Sequence, residues 1–136
     1  MKFESKTLSS LTDLDANQLL KLTPWKTLPE SVYDLVYERQ KIKACIIYQQ
    51  VFDEAEILYV YTHPDNRRQG YSTTLLNNII NKPGLSKLFL EVRKGNHSAR
   101  KLYLKLGFIE KGKRKNYYNH PREDAIIMQY QRGANE

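Results

Sequence analysis

Residues 67–72 of this 136-residue chain, Arg67-Arg68-Gln69-Gly70-Tyr71-Ser72, have the types and spacing that hold a phosphate. They follow the strand-like run Ile57-Leu58-Tyr59-Val60-Tyr61-Thr62, rich in β-branched and aromatic residues. They precede apolar residues at helical spacing, Tyr71, Leu75, Leu76, Ile79 and Ile80. Between strand and loop, His63-Pro64-Asp65-Asn66 breaks the pairing, because proline has no N–H to donate and Asn and Asp favour turns. A basic loop with one glycine therefore opens a helix. The unpaired N–H groups of a first helical turn and the positive end of the helix dipole converge on an anion. Gly70 lets the backbone approach that anion without a Cβ in the way. The plainer alternative is that Gly70 only marks a loop-to-helix transition.

The rest of the chain must position this loop. Lys2 to Leu8 reads as a strand, and Thr12 as the N-cap of a helix through Leu22. Pro24-Trp25 and Pro29 mark an irregular connection. Ser31–Tyr37 and Ile42–Phe52 read as a hairpin turning at Glu38–Lys41. The helix after Gly70 stops before Pro83-Gly84. Leu88–Val92 is another strand. Ala99, Leu102, Tyr103 and Leu106 share one helix face at i, i+3, i+4 and i+7. Asn96 or Ser98 can cap that helix, and Gly107 ends it with Phe108 closing the cap. Phe108–Tyr118 and Ala125–Tyr130 complete the strands.

Composition bounds the function. The apolar content of 40% and charged content of 27% fit one globular domain over residues 1–136, with 131–136 a loose tail. No apolar run approaches the roughly 18 residues of a membrane helix, and Met1–Lys6 lacks the apolar core of a signal peptide. The lone Cys45 excludes an intramolecular disulfide, and its neighbours Ile46 and Ile47 argue for a buried, inert thiol. These features favour the cytoplasm. The net charge of +7 suits a polyanionic partner such as CoA, nucleic acid or a ribonucleoprotein, or else serves solubility. Lys111-Gly112-Lys113-Arg114-Lys115, next to Tyr117-Tyr118, is a pattern that can bind single-stranded nucleic acid. No His, Cys or carboxylate spacing suggests a metal.

The loop resembles the R-x-x-G-x-G/A loop of the GNAT N-acetyltransferases, with Arg67, Gly70 and Ser72 at its defining positions. A second, independent stretch is also GNAT-like: Leu90-Glu91-Val92-Arg93, Asn96, then Leu102-Tyr103-Leu104-Lys105-Leu106-Gly107-Phe108. The ending is narrower. Gly112–Tyr118 and Arg122-Glu123-Asp124-Ala125-Ile126-Ile127-Met128 are similar to the bacterial ribosomal-protein-alanine N-acetyltransferases, as are Pro24-Trp25 and Asp53-Glu54-Ala55-Glu56. The resemblance spans about residues 24–128. It implies an α/β (α+β) GNAT fold, a mixed and mostly antiparallel sheet flanked by helices. It also implies acetyl transfer from acetyl-CoA to the N-terminal alanine amine of a small-subunit ribosomal protein. Ser72 stands where the family has Gly or Ala, and His63 replaces the common Asp before Pro64. The shorter stretch between Trp25 and Asp53 suggests loss of a second helix, and the helix before Pro83 looks shortened.

The resemblance also assigns roles. Glu91 is the candidate base and Tyr103 the candidate acid. Arg67, Arg68, Gln69, Gly70, Tyr71, Ser72 and Thr73 hold the pyrophosphate. Val60, Tyr61 and Thr62 line the pantetheine arm, and Asn96 bonds the cofactor. Tyr117, Tyr118, Arg122 and Glu123 shape the acceptor pocket. An α-amine, with a pKa of about 7.7–8.0, is easier to deprotonate than lysine at about 10.4. Each role has a structural alternative. Glu91 can pair with Arg93 or a lysine, Tyr103 can be core, and Asn96 can be only a cap. Residues 60–62 can be a plain central strand, and the last group a surface hairpin. Other amine acceptors, or a noncatalytic RNA- or ribosome-binding module built on 111–118, are the rival functions.

Overall fold

The computed structural model describes residues 2–22 and 30–133. Pro24-Trp25, Pro29 and the tail residues 134–136 lie outside the described residues. The elements are β1 (Lys2–Thr7), α1 (Asp13–Leu22), β2 (Ser31–Glu38), β3 (Lys41–Val51), β4 (Glu54–Thr62), α2 (Tyr71–Ile80), β5 (Lys87–Arg93), α3 (His97–Lys105), β6 (Ile109–Tyr118) and β7 (Glu123–Gln131). The sheet order is β1-β2-β3-β4-β5-β7-β6. Only β4 and β5 run parallel among these pairs, joined by the α2 crossover; the rest are antiparallel. The expected mixed, mostly antiparallel sheet flanked by helices is what forms.

Alternation along β5 separates its two faces. Leu88, Leu90 and Val92 pack with Leu75, Leu76 and Ile79 of α2, and with Tyr103 and Phe108. Lys87, Phe89, Glu91 and Arg93 alternate with them, so they project to the opposite face. On that face α1 lays Leu19 on Tyr33, Leu35, Cys45 and Ile47, at the β2–β3 end. Truncating a fully buried residue such as Leu75 to Ala costs about 3 kcal/mol, the transfer of its methyls plus the cavity left behind.

The start of α1 is a reciprocal cap. Thr12 Oγ1 accepts from the Asp15 N–H, and Asp15 Oδ2 accepts from the Thr12 N–H, both at 3.1 Å. Asp15 also takes Lys6 Nζ at 2.7 Å and the Tyr37 hydroxyl at 2.7 Å. That network ties α1 to β1 and β2. Burial alone raises the Asp15 carboxyl, but Lys6, Tyr37 and Thr12 together outweigh it and hold the group below its ordinary value.

Several boundaries differ from the sequence reading. β7 runs from Glu123 to Gln131 rather than over 125–130, and Arg132, expected in a loose tail, donates to Ser86 O, Ile80 O and Lys82 O. β4 begins at Glu54 rather than Ile57, because Glu54 and Glu56 face solvent while Ala55 and Ile57 are buried, an alternation that hydrophobic runs alone do not show. The β2–β3 turn tightens to Arg39-Gln40, both at positive φ (51° and 67°). Residues 31–51 form this hairpin, with no helix between residues 30 and 53. α2 has ten residues.

Candidate active site

The site is built where two parallel strands part. β4 and β5 pair only from Glu54–Ile57 to Lys87–Leu90. Beyond that, β4 stays with β3 as far as Thr62 and β5 stays with β7 as far as Arg93. A wedge-shaped gap opens between Tyr59–Thr62 and Glu91–Arg93. At the parting, β4 carries an extra residue, Leu58, where the β3–β4 register shifts. Such a bulge adds twist and turns the strand away from its neighbour. It explains why Ile57 and Val60, three apart, face the same core. The His63 N–H donates to Lys43 O at 2.7 Å, toward β3. Alternation then points the backbone groups of Val60 and Thr62 into the gap. The Thr62 carbonyl accordingly accepts from Arg67 Nε at 3.2 Å.

At the top of the gap, Gly70 is the N-cap of α2 in the left-handed region, φ 82°. A Cβ there meets nothing within 4 Å, so the space before the helix is open and φ is what calls for glycine. The first intrahelical bond runs from Thr74 N to Gly70 O, 2.9 Å. The N–H groups of Tyr71, Ser72 and Thr73 are left with no intrahelical acceptor. Ser72 Oγ lies 2.8 Å from Thr62 Oγ1, which fixes the helix start against the gap. Gln69 Nε2 donates to Asp65 O at 3.4 Å. Arg68 is exposed at φ 64°, and Tyr71 packs half-buried on the core.

Glu91 stands on the β5 face away from α2 and α3. Its Oε1 is 3.1 Å from Arg114 Nε, while its Oε2 is buried and has no hydrogen-bond partner among the described residues. The carboxylate lines a cavity of about 240 Å³ with Glu56, Phe89, Leu90, Arg114 and Ile127. Its ion-pair partner is Arg114 from β6, not Arg93. β6 advances four residues from Arg114 to Tyr118 while β7 advances two, Ala125 to Glu123. The surplus makes an arch, with Asn116 at φ 53° and its N–H donating to Asp124 Oδ1 at 2.8 Å. The arch brings Tyr117 to Glu91, whose carboxylate raises the Tyr117 phenol above the usual range. The Arg114 guanidinium lies 5.6 Å from the Tyr117 ring centroid. Tyr118 meets Tyr117 edge-on at 5.1 Å and is raised by burial and by Glu91.

Arg93, given only as a possible partner of Glu91 in the sequence reading, braces this region. It lies 4.4 Å from the Tyr118 ring and bonds Glu123 Oε1 (3.3 Å), Pro121 O (3.0 Å) and Asn119 O (3.3 Å). Glu123 Oε2 accepts from the Gly95 N–H at 2.6 Å, so both its oxygens are committed to holding the β5–α3 and β6–β7 loops together. Arg122 is exposed on the β6–β7 turn. Asn96 caps α3, its Oδ1 accepting from the Ala99 N–H at 3.2 Å, while its NH₂ group donates to no described residue.

Tyr103 lies on the other face of the sheet from Glu91. It is 8% exposed, 5.7 Å from Phe108 ring to ring, and burial pushes its phenol up to about 12. Tyr118 adds to that rise, and Glu91 in turn raises Tyr118. Cys45 is fully buried, its thiol pushed up to about 12, and is no nucleophile. No group of three metal-ligating side chains gathers among the described residues. No helix there is long and apolar enough to cross a membrane.

A gap between parted parallel strands, headed by the open start of a helix, is the layout that marks the fold. Residues 5–108 match the acetyltransferase (GNAT) family, and the chain belongs to it. It is 45% identical over 93 residues to the ribosomal protein bS18-alanine N-acetyltransferase of Escherichia coli K12, a match over 65% of this chain. That match takes in 63% of the relative's length, so the chain spans just under two thirds of the curated relatives it matches first. The crystal structure of the Escherichia coli ribosomal-protein-S18-alanine N-acetyltransferase superposes with a TM-score of 0.80 at 31% identity, over 96% of this chain and 94% of that one. A GNAT acetyltransferase from Elizabethkingia anophelis with acetyl-CoA bound shares the fold, with a TM-score of 0.77 at 22% identity over 96% and 97% of the two chains.

Proposed function

We propose that this chain transfers acetyl from acetyl-CoA to the α-amine of the N-terminal alanine of a small-subunit ribosomal protein, in the cytoplasm. The observation that carries the chemistry is the Glu91 carboxylate. One of its oxygens is held by Arg114 and the other is buried and unpartnered, next to the gap between β4 and β5. The acceptor assignment draws support from the names of the relatives and from the Tyr117–Met128 ending.

The N–H groups of Tyr71, Ser72 and Thr73, with Arg67 and Arg68, receive the pyrophosphate. The backbone of Val60 and Thr62 offers ladder groups to the pantetheine amides, and a β4 N–H stabilises the thioester oxygen as it gains charge. The amine arrives from the Glu91 side. Glu91 Oε2 takes one proton from the ammonium, directly or through water, and the freed lone pair attacks the carbonyl carbon. As the tetrahedral intermediate collapses and the C–S bond breaks, the nitrogen loses its second proton through water to the departing thiolate, so CoA leaves as the thiol, and the Tyr103 phenol stabilises that sulfur by donating a hydrogen bond to it. Tyr117 and Tyr118 wall the acceptor, with Arg93 and Glu123 bracing them.

Acetyl-CoA turnover against a peptide panel tests the assignment. A peptide with a free N-terminal alanine should turn over, its N-blocked form should be inert even with lysines present, and a bulky first residue should lose most activity. Polyamines or lysine outcompeting the peptide would leave only the broader amine-acetyltransferase reading.

A further inference from the structure

Glu56 has no role in the account above. It lies on β4, cross-strand from Phe89, on the last paired stretch before β4 and β5 separate. It is exposed and makes no ion pair with any described residue; the nearby Lys87 pairs with Glu54 instead, at 3.6 Å. It lines the same 240 Å³ cavity as Glu91 and Arg114. The Tyr117 phenol feels Glu91 most strongly, and Glu56 also acts on it in the same direction. The cavity thus holds two carboxylates and one guanidinium, one negative charge in excess, between the apolar side chains of Phe89 and Ile127.

Resting on the acceptor reading above, we infer that Glu56 is the second carboxylate of the amine seat, and that the acceptor's ammonium enters between Glu56 and Glu91 by displacing the Arg114 guanidinium. At neutral pH an α-amine with a pKa of about 7.7–8.0 is largely protonated, so the enzyme meets a cation first. Arg114 balances Glu91 through Oε1. The incoming ammonium supplies the same charge, so the exchange leaves Glu91 paired throughout. Arg114 is free to leave, since its side chain is 56% exposed on an edge strand. The face of Tyr117, 5.6 Å away, is a ready seat for a guanidinium. Once the ammonium passes one proton to Glu91 Oε2, Glu56 remains anionic and the attacking amine is neutral. Phe89 and Ile127 offer contact to a small first side chain such as that of alanine.

Glu56 therefore acts in acceptor binding and not in the chemical step, and steady-state kinetics with acetyl-CoA and an alanine-first peptide separates the two. Glu56→Gln should raise the peptide KM about fivefold, the loss of one solvent-facing charge contact. It should keep kcat within about twofold and leave the KM for acetyl-CoA unchanged. Glu56→Asp should recover part of the loss. Glu54→Gln, which removes an equal charge two residues away, should keep the parent's peptide KM. If Glu56→Gln has the parent's KM, or if kcat falls as far as KM rises, the inference is overturned while the transferase reading stands. If Glu54→Gln raises KM equally, the effect is general surface charge and the inference fails. If the parent chain acetylates no N-terminal amine, both fall together.

Discussion

Tyr103→Phe separates a catalytic phenol from a core one, because the structure sets both its stability cost and its kinetic cost. The Tyr103 ring packs against Phe108, and its hydroxyl makes no hydrogen bond to any described residue. Phenylalanine keeps the ring and loses only an unpaired oxygen, so stability should hold within about 0.5 kcal/mol, a melting shift of about 2 °C for a chain of this size. The kinetic cost follows from acidity. With its phenol pushed up to about 12 by burial, Tyr103 is a weaker acid than an ordinary thiol at about 8.5. Complete transfer of its proton to the thiolate is uphill by roughly 3–4 pKa units, or about 5 kcal/mol. Tyr103 therefore acts mainly by donating a hydrogen bond to the sulfur as charge builds there. A hydrogen bond to a charged group contributes about 1.5–3 kcal/mol. The expected loss is thus about 10- to 150-fold in the single-turnover rate, at the low end of what general acids supply. The parent's pH–rate profile should show no alkaline limb from Tyr103 below about pH 12. Rapid-quench single-turnover measurement with melting curves on both proteins tests this. An unchanged chemical rate makes Tyr103 only a core residue, and a rate loss accompanied by a melting drop of about 5 °C or more makes it a structural one.

Three further outcomes are expected. Gly70→Val forces a β-branched residue into the left-handed region and should cost about 1–2 kcal/mol of stability. Gly70→Asn, which tolerates that region, isolates the binding effect, and calorimetry should find acetyl-CoA weakened in both; full affinity in the Asn variant removes the loop from the site. Glu91→Gln should lower kcat/KM and regain part of it at high pH, where the amine is already neutral; a profile identical to the parent's leaves Glu91 only a positioning role. Asp15→Asn leaves Lys6 with only Glu4, at 3.2 Å, as its ion-pair partner among the described residues and should cost about 2 kcal/mol by denaturant unfolding at neutral pH. Because the folded Asp15 carboxyl lies below 3.8, its contribution is full above that pH and lost as pH falls through the lowered value. The gap between parent and variant should therefore close in acid.

What could be read from sequence depended on the range of the interaction. The α3 periodicity, the Asn96 cap and the Gly107 stop are local, and each stands where the residues indicated. The helix start at Gly70 likewise follows from neighbours in sequence. The acceptor side was only half legible. Alternation along β5 gave the face of Glu91, but its partner depends on cross-strand register. Arg114 reaches Glu91 because β6 gains one residue against β7 between Glu110 and Gly112, which turns Arg114 to the Glu91 face, and no local pattern announces that irregularity. Glu56 was hidden for a related reason. It precedes the apolar run, and only the short parallel pairing of β4 with β5 brings it to the cavity. Arg93 and Glu123 are 30 residues apart, and their bond reflects tertiary closure of two loops.

The central claim is transfer of an acetyl group to a chain's own N-terminal amine. Tandem mass spectrometry of an alanine-first, lysine-containing ribosomal peptide, incubated with this protein and acetyl-CoA, tests it most directly. One added acetyl group is expected, on the α-nitrogen of the alanine, and none on the N-blocked peptide. An acetyl group on a lysine side chain, or none on the free N-terminus, would contradict it.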